Sequence, residues 1–348
     1  MLTTGESSPV GVAVVGAGYW GPNLIRNFQH NPDSDLKWVC DLDRDQAVKA
    51  VGRYNTIAVT ALLDDVLDDP TVEGVAIATP AGTHYDIAMA ALRAGKHVLV
   101  EKPLASTVTE AAAMVALGAE RDLVVMCDHT YCYTPAVQKI RELVASGTLG
   151  ELMYVDSVRI NLGLVQRDID VFWDLAPHDL SILNFILPPR WAPTGVAAHG
   201  ADPLRTGRAC VGYLTLALGA GALAHIHVNW LSPTKIRTMV IGGSRRTLVW
   251  DDLNPSQRLS VFDRGVDVEA NVDDERKREI LVSYRLGDMT APALVEGEAL
   301  QGALSEFVGC IREGRAPATD GSSGVRVLQV LEAADRSRGD DGRLTCLT

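Results

Sequence analysis

The sequence predicts an α/β protein of two domains: an N-terminal doubly wound parallel sheet, then a C-terminal α+β domain with an open, mainly antiparallel sheet. Three observations predict it. Short apolar runs alternate with amphipathic stretches from residue 10 to about 126, the pattern of strands buried on both faces between helices. After about Met126 that alternation stops, and residues 209–250 form four extended runs in close succession. The length of 348 residues suffices for two domains with a core each.

The first strand is expected over residues 10–15, VGVAVV, which lead straight into Gly16-Ala17-Gly18-Tyr19-Trp20-Gly21. An amphipathic stretch (PNLIRNFQH) follows, then a second apolar run ending on Asp41, 20 residues after Gly21. Strand, glycine turn, helix, strand, acid is the dinucleotide-binding fingerprint of the Rossmann fold. In that reading Gly16 permits the tight turn, Gly18 lets the backbone approach a pyrophosphate, and Gly21 lets the helix pack close to the strand. The helix N-terminus offers unpaired N–H groups to phosphate. A carboxylate at Asp41 accepts hydrogen bonds from ribose hydroxyls and repels a 2′-phosphate, which favours NAD over NADP. A plain strand-to-helix turn stays open as an alternative, and S-adenosylmethionine enzymes use a similar turn.

Further along, helices are expected at 45–54, 62–67, 87–94 and 107–119, and strands at 72–78, 97–100 and 123–126. The strand ends carry polar residues: Asp41, Thr79 and Glu101-Lys102. In parallel sheets of this kind ligands bind beyond the carboxyl ends of the strands. In the second half a helix at 136–146 ends at Gly147, and 151–161 is extended. An apolar helix stops at Pro188-Pro189. The four runs of 209–250, broken by Gly219, Gly221, Ser232-Pro233 and Gly242-Gly243, are expected to be adjacent antiparallel strands. Helices near 298–313 and 323–334 close the chain. The expected division is residues 1–126 for the dinucleotide domain, with a closing helix from 323–337, and 127–348 for a substrate-binding and oligomerisation domain. An uncovered sheet face favours a homodimer or homotetramer. The charged stretch 263–280 is expected to be a surface excursion.

A formal net charge of −12 argues against a general binder of nucleic acid or anionic membranes. The six cysteines form no Cys-x-x-Cys pair, so neither a zinc site nor a disulfide framework is expected. His225 and His227 alternate on one strand face, but without nearby acids or cysteines no metal site is expected. The start, MLTTGESSP, lacks a basic segment followed by an apolar one, and no apolar run reaches membrane-spanning length. A reducing cytoplasm is the expected setting.

Two segments carry candidate chemistry. Lys102, in Glu101-Lys102-Pro103, follows the strand HVLV, and Pro103 biases it away from helix. In Trp173-Asp174-Leu175-Ala176-Pro177-His178-Asp179, Pro177 is expected in the first turn of the helix running to Leu187. His178 would then sit near a helix N-terminus, which keeps imidazole neutral and able to accept a proton, with Asp174 in the preceding loop.

Gly-Ala-Gly-Tyr-Trp-Gly at 16–21, Glu-Lys-Pro at 101–103 and Asp-x-x-x-His at 174–178 resemble the Gfo/Idh/MocA family of sugar and cyclitol oxidoreductases, over roughly residues 9–337. The resemblance implies an NAD-binding Rossmann domain and a C-terminal domain whose open sheet builds dimers and tetramers. It implies that Lys102 hydrogen-bonds the reacting oxygen, Asp174 binds or orients substrate hydroxyls, and His178 is the general acid/base. It places Tyr19, Trp20, Thr79, Pro80, His84 and Glu101 with the glycines beside the cofactor, although a local turn explains 79–84 nearly as well. Arg159, Asn161 and Lys235 are candidate substrate contacts, with structural or surface roles equally open.

The match has departures. Asp170-Val171-Phe172-Trp173 replaces the family's Gly-Gly lead-in, Ala176 replaces a glycine, and Ser181 stands where many members have Asp. This variant resembles a branch acting on sugar units in nucleotide-sugar or antibiotic pathways, aminoglycosides among them. The implied function is NAD-dependent oxidation of a ring secondary alcohol to the ketone. Such a step needs a base for the O–H proton and an acceptor for the hydride. An NAD(P)H-dependent ketoreductase on a nucleotide-linked keto-sugar uses the same residues in reverse. A non-catalytic NAD(H)-binding regulator and a methyltransferase are the alternatives of other classes. A short-chain dehydrogenase is disfavoured because no Tyr-x-x-x-Lys occurs, and a zinc alcohol dehydrogenase by the cysteine spacing.

Overall fold

A computed structural model of the chain describes residues 8–347 apart from 55, 164, 166–168, 264, 269–281 and 286, with only the backbone of 265–268 and 282–285. The chain packs as two units, residues 1–134 with 297–328 and residues 135–296 with 329–348.

The first unit holds β1 (Val10–Val15), α1 (Gly21–His30), β2 (Ser34–Cys40), α2 (Arg44–Val51), β3 (Ala58–Thr60) and α3 (Leu63–Leu67). It continues with β4 (Gly74–Ile77), α4 (His84–Arg93), β5 (His97–Glu101), α5 (Val108–Glu120) and β6 (Val125–Asp128). The six strands form one parallel sheet in the order β3-β2-β1-β4-β5-β6, the doubly wound Rossmann order. All six residues of β1 are buried, so both sheet faces are covered, as the apolar run required. Thr107 and Glu110 cap α5 reciprocally, a capping box. The helix Ala299–Glu313 belongs to this unit and adds Leu300, Leu304 and Phe307 to its core. Arg26 and Asn27 of α1 bind Glu298, its N-terminal neighbour.

The second unit holds α6 (Pro135–Ala145), β7 (Leu152–Leu162), α7 (Val171–Ile186), β8 (Pro193–Ala201), β9 (Val211–Leu218), β10 (Leu223–Asn229), β11 (Leu231–Gly243), β12 (Thr247–Asp251) and β13 (Leu259–Phe262). After them come a small hairpin of β14 (Gly265–Val268) with β15 (Val282–Arg285), then β16 (Met289–Thr290) and β17 (Thr345–Cys346). Naming the helix Ala299–Glu313 α8, the last helix is α9 (Gly321–Gly339), which leaves the first unit at Leu328 and ends in the second.

The large sheet of the second unit runs β16-β13-β12-β11-β7-β10-β9-β8-β17. Here the expectation of four adjacent antiparallel strands over 209–250 is corrected. β9 pairs with β10 and β11 with β12, but β7 lies between β10 and β11, parallel to β10 and antiparallel to β11. Only Trp230 separates β10 from β11 in sequence. A break that short usually marks a hairpin, but here the sides of β10 and β11 that would meet both pair with β7 instead. Along β10 and β9 burial alternates with period two. Ala224, Ile226 and Val228 lie on the buried face, which α7 packs against. The other face carries Tyr213 stacked on His225 and His227, with Leu223 and Tyr154 exposed. Of the charged stretch 263–280, residues 264 and 269–280 lie outside the described residues. Among the described residues no helix is long and apolar enough to cross a membrane.

Candidate active site

The glycine turn sits where β1 and β4 diverge, the topological switch point of the sheet. Gly16 has φ +97°, and a Cβ there would stand 2.6 Å from the Ala78 carbonyl carbon. A Cβ on Gly21 would stand 2.2 Å from the Gly16 carbonyl oxygen, so the helix start and the turn touch backbone to backbone. Gly18 faces open space. The first turn of α1 carries no acid and no side-chain cap, and Pro22 occupies a position where no N–H is needed. This is a cradle suited to a pyrophosphate. Tyr19 is almost fully exposed and Trp20 half-buried.

Asp41 follows β2 and ties the turn together. Its Oδ2 accepts from the Ala17 N–H at 2.6 Å and its Oδ1 from the Asp43 N–H at 2.8 Å. The Gln46 amide also donates to Oδ2, at 3.4 Å, so Oδ1, with one donor, keeps capacity for a ribose hydroxyl. At the end of β4, Thr79 accepts from the Thr83 hydroxyl, and Pro80 starts a single helical turn into α4. His84 is 1% exposed, with Nδ1 2.8 Å from the Pro103 carbonyl and Nε2 2.9 Å from the Thr79 carbonyl. Burial holds it below the ordinary histidine range, and its single N–H then donates to one of these two carbonyls, between the loops after β4 and β5. Glu101 ends β5 and accepts from the Lys102 N–H, and the Lys102–Pro103 bond is cis.

Sequence reasoning missed Asp128 and His129. β6 runs to Asp128, two residues past the expected end, so another polar strand end joins Thr79 and Glu101-Lys102. The signal was the strand-end position itself. Burial and the Lys102 ammonium push His129 down to about 3.

In the second unit, the expected placement of Pro177 in a first helical turn is corrected. α7 begins at Val171, capped by Asp170 Oδ1 on the Phe172 and Trp173 N–H groups, and Pro177 lies inside it. An interior proline forfeits a helical hydrogen bond, at a cost of about 3 kcal/mol. Packing offsets it: Phe172 is fully buried against Gly200 and Gly212, where a Cβ would come within 2.9 and 2.3 Å of its ring. Trp173 Nε1 donates to Asp335 and Arg338 bridges Asp170. Two consequences follow for the candidate residues. Asp174 is helical rather than in a loop, and lies one turn before His178 on the same face. His178 stands two turns from the N-terminus, beyond the reach of the terminal dipole invoked to keep it neutral.

Asp174 Oδ2 accepts from the indole N–H of Trp230 at 3.0 Å, and Trp230 is 1% exposed. Arg159 is buried: its Nε and Nη2 bind Asp179 at 2.7 and 3.2 Å, and the Ser157 hydroxyl adds a third bond at 2.9 Å. The pair fastens α7, at the residue after His178, to β7. Asn161 is half-buried near the end of β7, and Lys235 is exposed on the irregular part of β11. Within the first unit the structure gathers Gly16–Gly21, Asp41, Thr79, His84 and Glu101-Lys102 at the strand ends. Within the second it gathers Asp174, His178, Arg159 and Trp230 around α7.

Family models match in both units. Residues 10–129 match "Oxidoreductase family, NAD-binding Rossmann fold", and residues 137–249 match "GFO/IDH/MocA C-terminal domain". The chain belongs to the Gfo/Idh/MocA family of oxidoreductases, and its first unit is an NAD-binding Rossmann domain. Among its relatives is the UDP-N-acetylglucosamine 3-dehydrogenase of Acidithiobacillus ferrooxidans, 27% identical over 90% of this chain and 93% of the other. The inositol 2-dehydrogenase of Rhizobium meliloti is 24% identical over 93% and 95%. Among solved structures, GenD2 from gentamicin A biosynthesis, in complex with NAD, superposes with a TM-score of 0.81 at 26% identity, covering 98% of this chain and 97% of the other. The protein is thus an oxidoreductase of a family that includes sugar and cyclitol dehydrogenases.

Proposed function

We propose that this protein oxidises a ring secondary alcohol of a sugar, amino sugar or cyclitol to the ketone with NAD, and that its substrate is a nucleotide-linked amino sugar or an aminoglycoside precursor. The observation that carries the reading is the pairing of Asp174 and His178 one turn apart on α7, with Asp174 clamped by the buried Trp230 indole.

In this reading the His178 imidazole takes the hydroxyl proton as the C–H bond breaks. Asp174 orients substrate hydroxyls, and the Lys102 ammonium stabilises the developing alkoxide charge. NAD, when bound, supplies the hydride acceptor. Asp41 favours NAD over NADP, because a 2′-phosphate would meet its carboxylate. The substrate class draws support from the names of the Acidithiobacillus enzyme and of GenD2. The open sheet face with Tyr154, Tyr213 and Leu223 supports assembly as a homodimer or homotetramer. Free cysteines support a reducing cytoplasm.

The test is absorbance at the NADH band with NAD and a panel of nucleotide sugars, free sugars, inositols and aminoglycosides, repeated with NADP. One substrate class gives a rise with NAD, and Lys102→Ala lowers its rate by about 10²–10⁴-fold. Turnover near wild type in both Lys102→Ala and His178→Ala rejects the mechanism.

A further inference from the structure

β5 and β6 pair in parallel with Glu101 opposite Asp128. The last residues of two adjacent strands are therefore both acids, on strands about 5 Å apart and with side chains on the same face. Asp128 is 2% exposed. Each carboxyl has one oxygen satisfied. The Lys102 N–H donates to Glu101 Oε2 at 3.2 Å, and the Thr130 hydroxyl donates to Asp128 Oδ1 at 2.9 Å. The other two oxygens, Glu101 Oε1 and Asp128 Oδ2, are sealed from solvent and accept no hydrogen bond. Trp20 Nε1 is equally sealed; it acts on the Asp128 carboxyl without reaching hydrogen-bond geometry.

Two buried carboxylate oxygens that lack donors are costly apart and repulsive together. A single proton between them removes both penalties, since one carboxyl then donates and the other accepts. We propose that Glu101 and Asp128 share one proton and act as a buried monoanion that fixes the Glu101-Lys102-Pro103 turn, which makes Asp128 a positioning residue for Lys102. The inference rests on the reading in which Lys102 touches substrate.

The charges around the pair agree with it. Burial raises both carboxyls above their ordinary range. Asp128 raises Glu101 further, and Lys102 only partly offsets this. The Cys127 thiol, which also faces Cys132, is pushed well up by burial, Asp128 and Glu101. Burial likewise pushes Tyr133 up, and His129 is held neutral. Lys102 is then the one cation among these groups. A monoanionic pair balances it, and a dianionic pair leaves a buried excess of negative charge. The shared proton is a property of the pair rather than of either acid.

The test uses the full-length protein with Asp128→Asn and Asp128→Leu. Infrared difference spectra of the wild type at neutral pH should contain the C=O band of a protonated carboxyl. The band should vanish in Asp128→Asn, where the amide donates in the proton's place and Glu101 ionises. Because the folded state keeps a proton that the unfolded chain releases above about pH 4, wild-type stability is fully present below that range and falls as pH rises towards the pair's own titration. The denaturation midpoint of Asp128→Asn should fall less steeply with pH, by one proton. In kinetics Asp128→Leu should lose about a hundredfold in kcat/KM, and Asp128→Asn should recover most of that loss. A wild type without the band, or a band unchanged in Asp128→Asn, overturns the shared proton. An Asn variant as impaired as Leu overturns the positioning role. Should the wild type turn over no sugar at all, the dehydrogenase reading fails, and the band and the pH slope still decide whether the proton is shared.

Discussion

Replacing Arg159 with Met strips the Asp179 carboxylate of two charge-assisted hydrogen bonds, at 2.7 and 3.2 Å, and leaves it the Ser157 hydroxyl at 2.9 Å. Asp179 is 2% exposed, so water cannot take the guanidinium's place. Removing one partner of a buried ion pair costs about 3–5 kcal/mol, a large share of the roughly 5–15 kcal/mol that holds a domain folded. In a unit of this size each kcal/mol moves the melting midpoint by about 2–4 °C, so a fall of about 6–20 °C is expected. Calorimetry and urea titration of the full chain measure it. The double variant Arg159→Met/Asp179→Leu should recover at least half of the loss, because apolar groups that replace a whole buried pair are often neutral or stabilising. A single variant within about 1 kcal/mol of wild type, the scale of a solvated pair, refutes the reasoning. A raised KM with unchanged melting would instead return Arg159 to the substrate.

Gly21→Ala drives a Cβ to 2.2 Å from the Gly16 carbonyl oxygen, which is backbone and cannot swing aside. A loss of about 1–3 kcal/mol in stability and a rise of about tenfold in the NADH Kd are expected by fluorescence titration, and an unchanged Kd contradicts the close contact. His129, held down to about 3 by burial, stays neutral while an unfolded histidine protonates below about pH 6.5. The stability it contributes is therefore present above that pH and lost by about 1.4 kcal/mol per unit as pH falls towards 3. His129→Gln should flatten the acid limb of the urea midpoint, with His84 and His97, also lowered by burial, supplying the remaining slope. Equal slopes for wild type and variant contradict this.

The parallel sheet was legible because each of its cues is local. Six buried residues in β1, glycines at fixed offsets and an acid after β2 need no knowledge of distant segments. The start of α7 was misread for the opposite reason. Pro177 is a strong local cue for a first helical turn, overridden by Phe172 lodging on Gly200 and Gly212 from two distant strands. Arg159 offered no sequence cue to its burial, since its partner Asp179 lies on another element and is known only once β7 and α7 pack. Asp128 escaped notice because the expected strand stopped two residues short. The glycine turn and the Lys102 turn were read at the strand ends where they lie. The Asp174–Trp230 bond joins residues 56 apart in sequence and appears only in the folded unit.

The place of β7 between β10 and β11 also governs how this chain can be made. β7 leaves the ribosome 61 residues before β10 begins, and neither of its central ladders can form from a neighbouring hairpin. Throughout that interval it presents two unpaired edges, the condition that invites pairing with other chains. The non-local closure also makes this sheet intrinsically slow to assemble. A chain cut between Leu162 and Leu223 keeps all six strands of its Rossmann sheet yet strands β7 with neither neighbour. Rapid elongation through residues 163–222 and dilute nascent chain should therefore favour the soluble protein over aggregate.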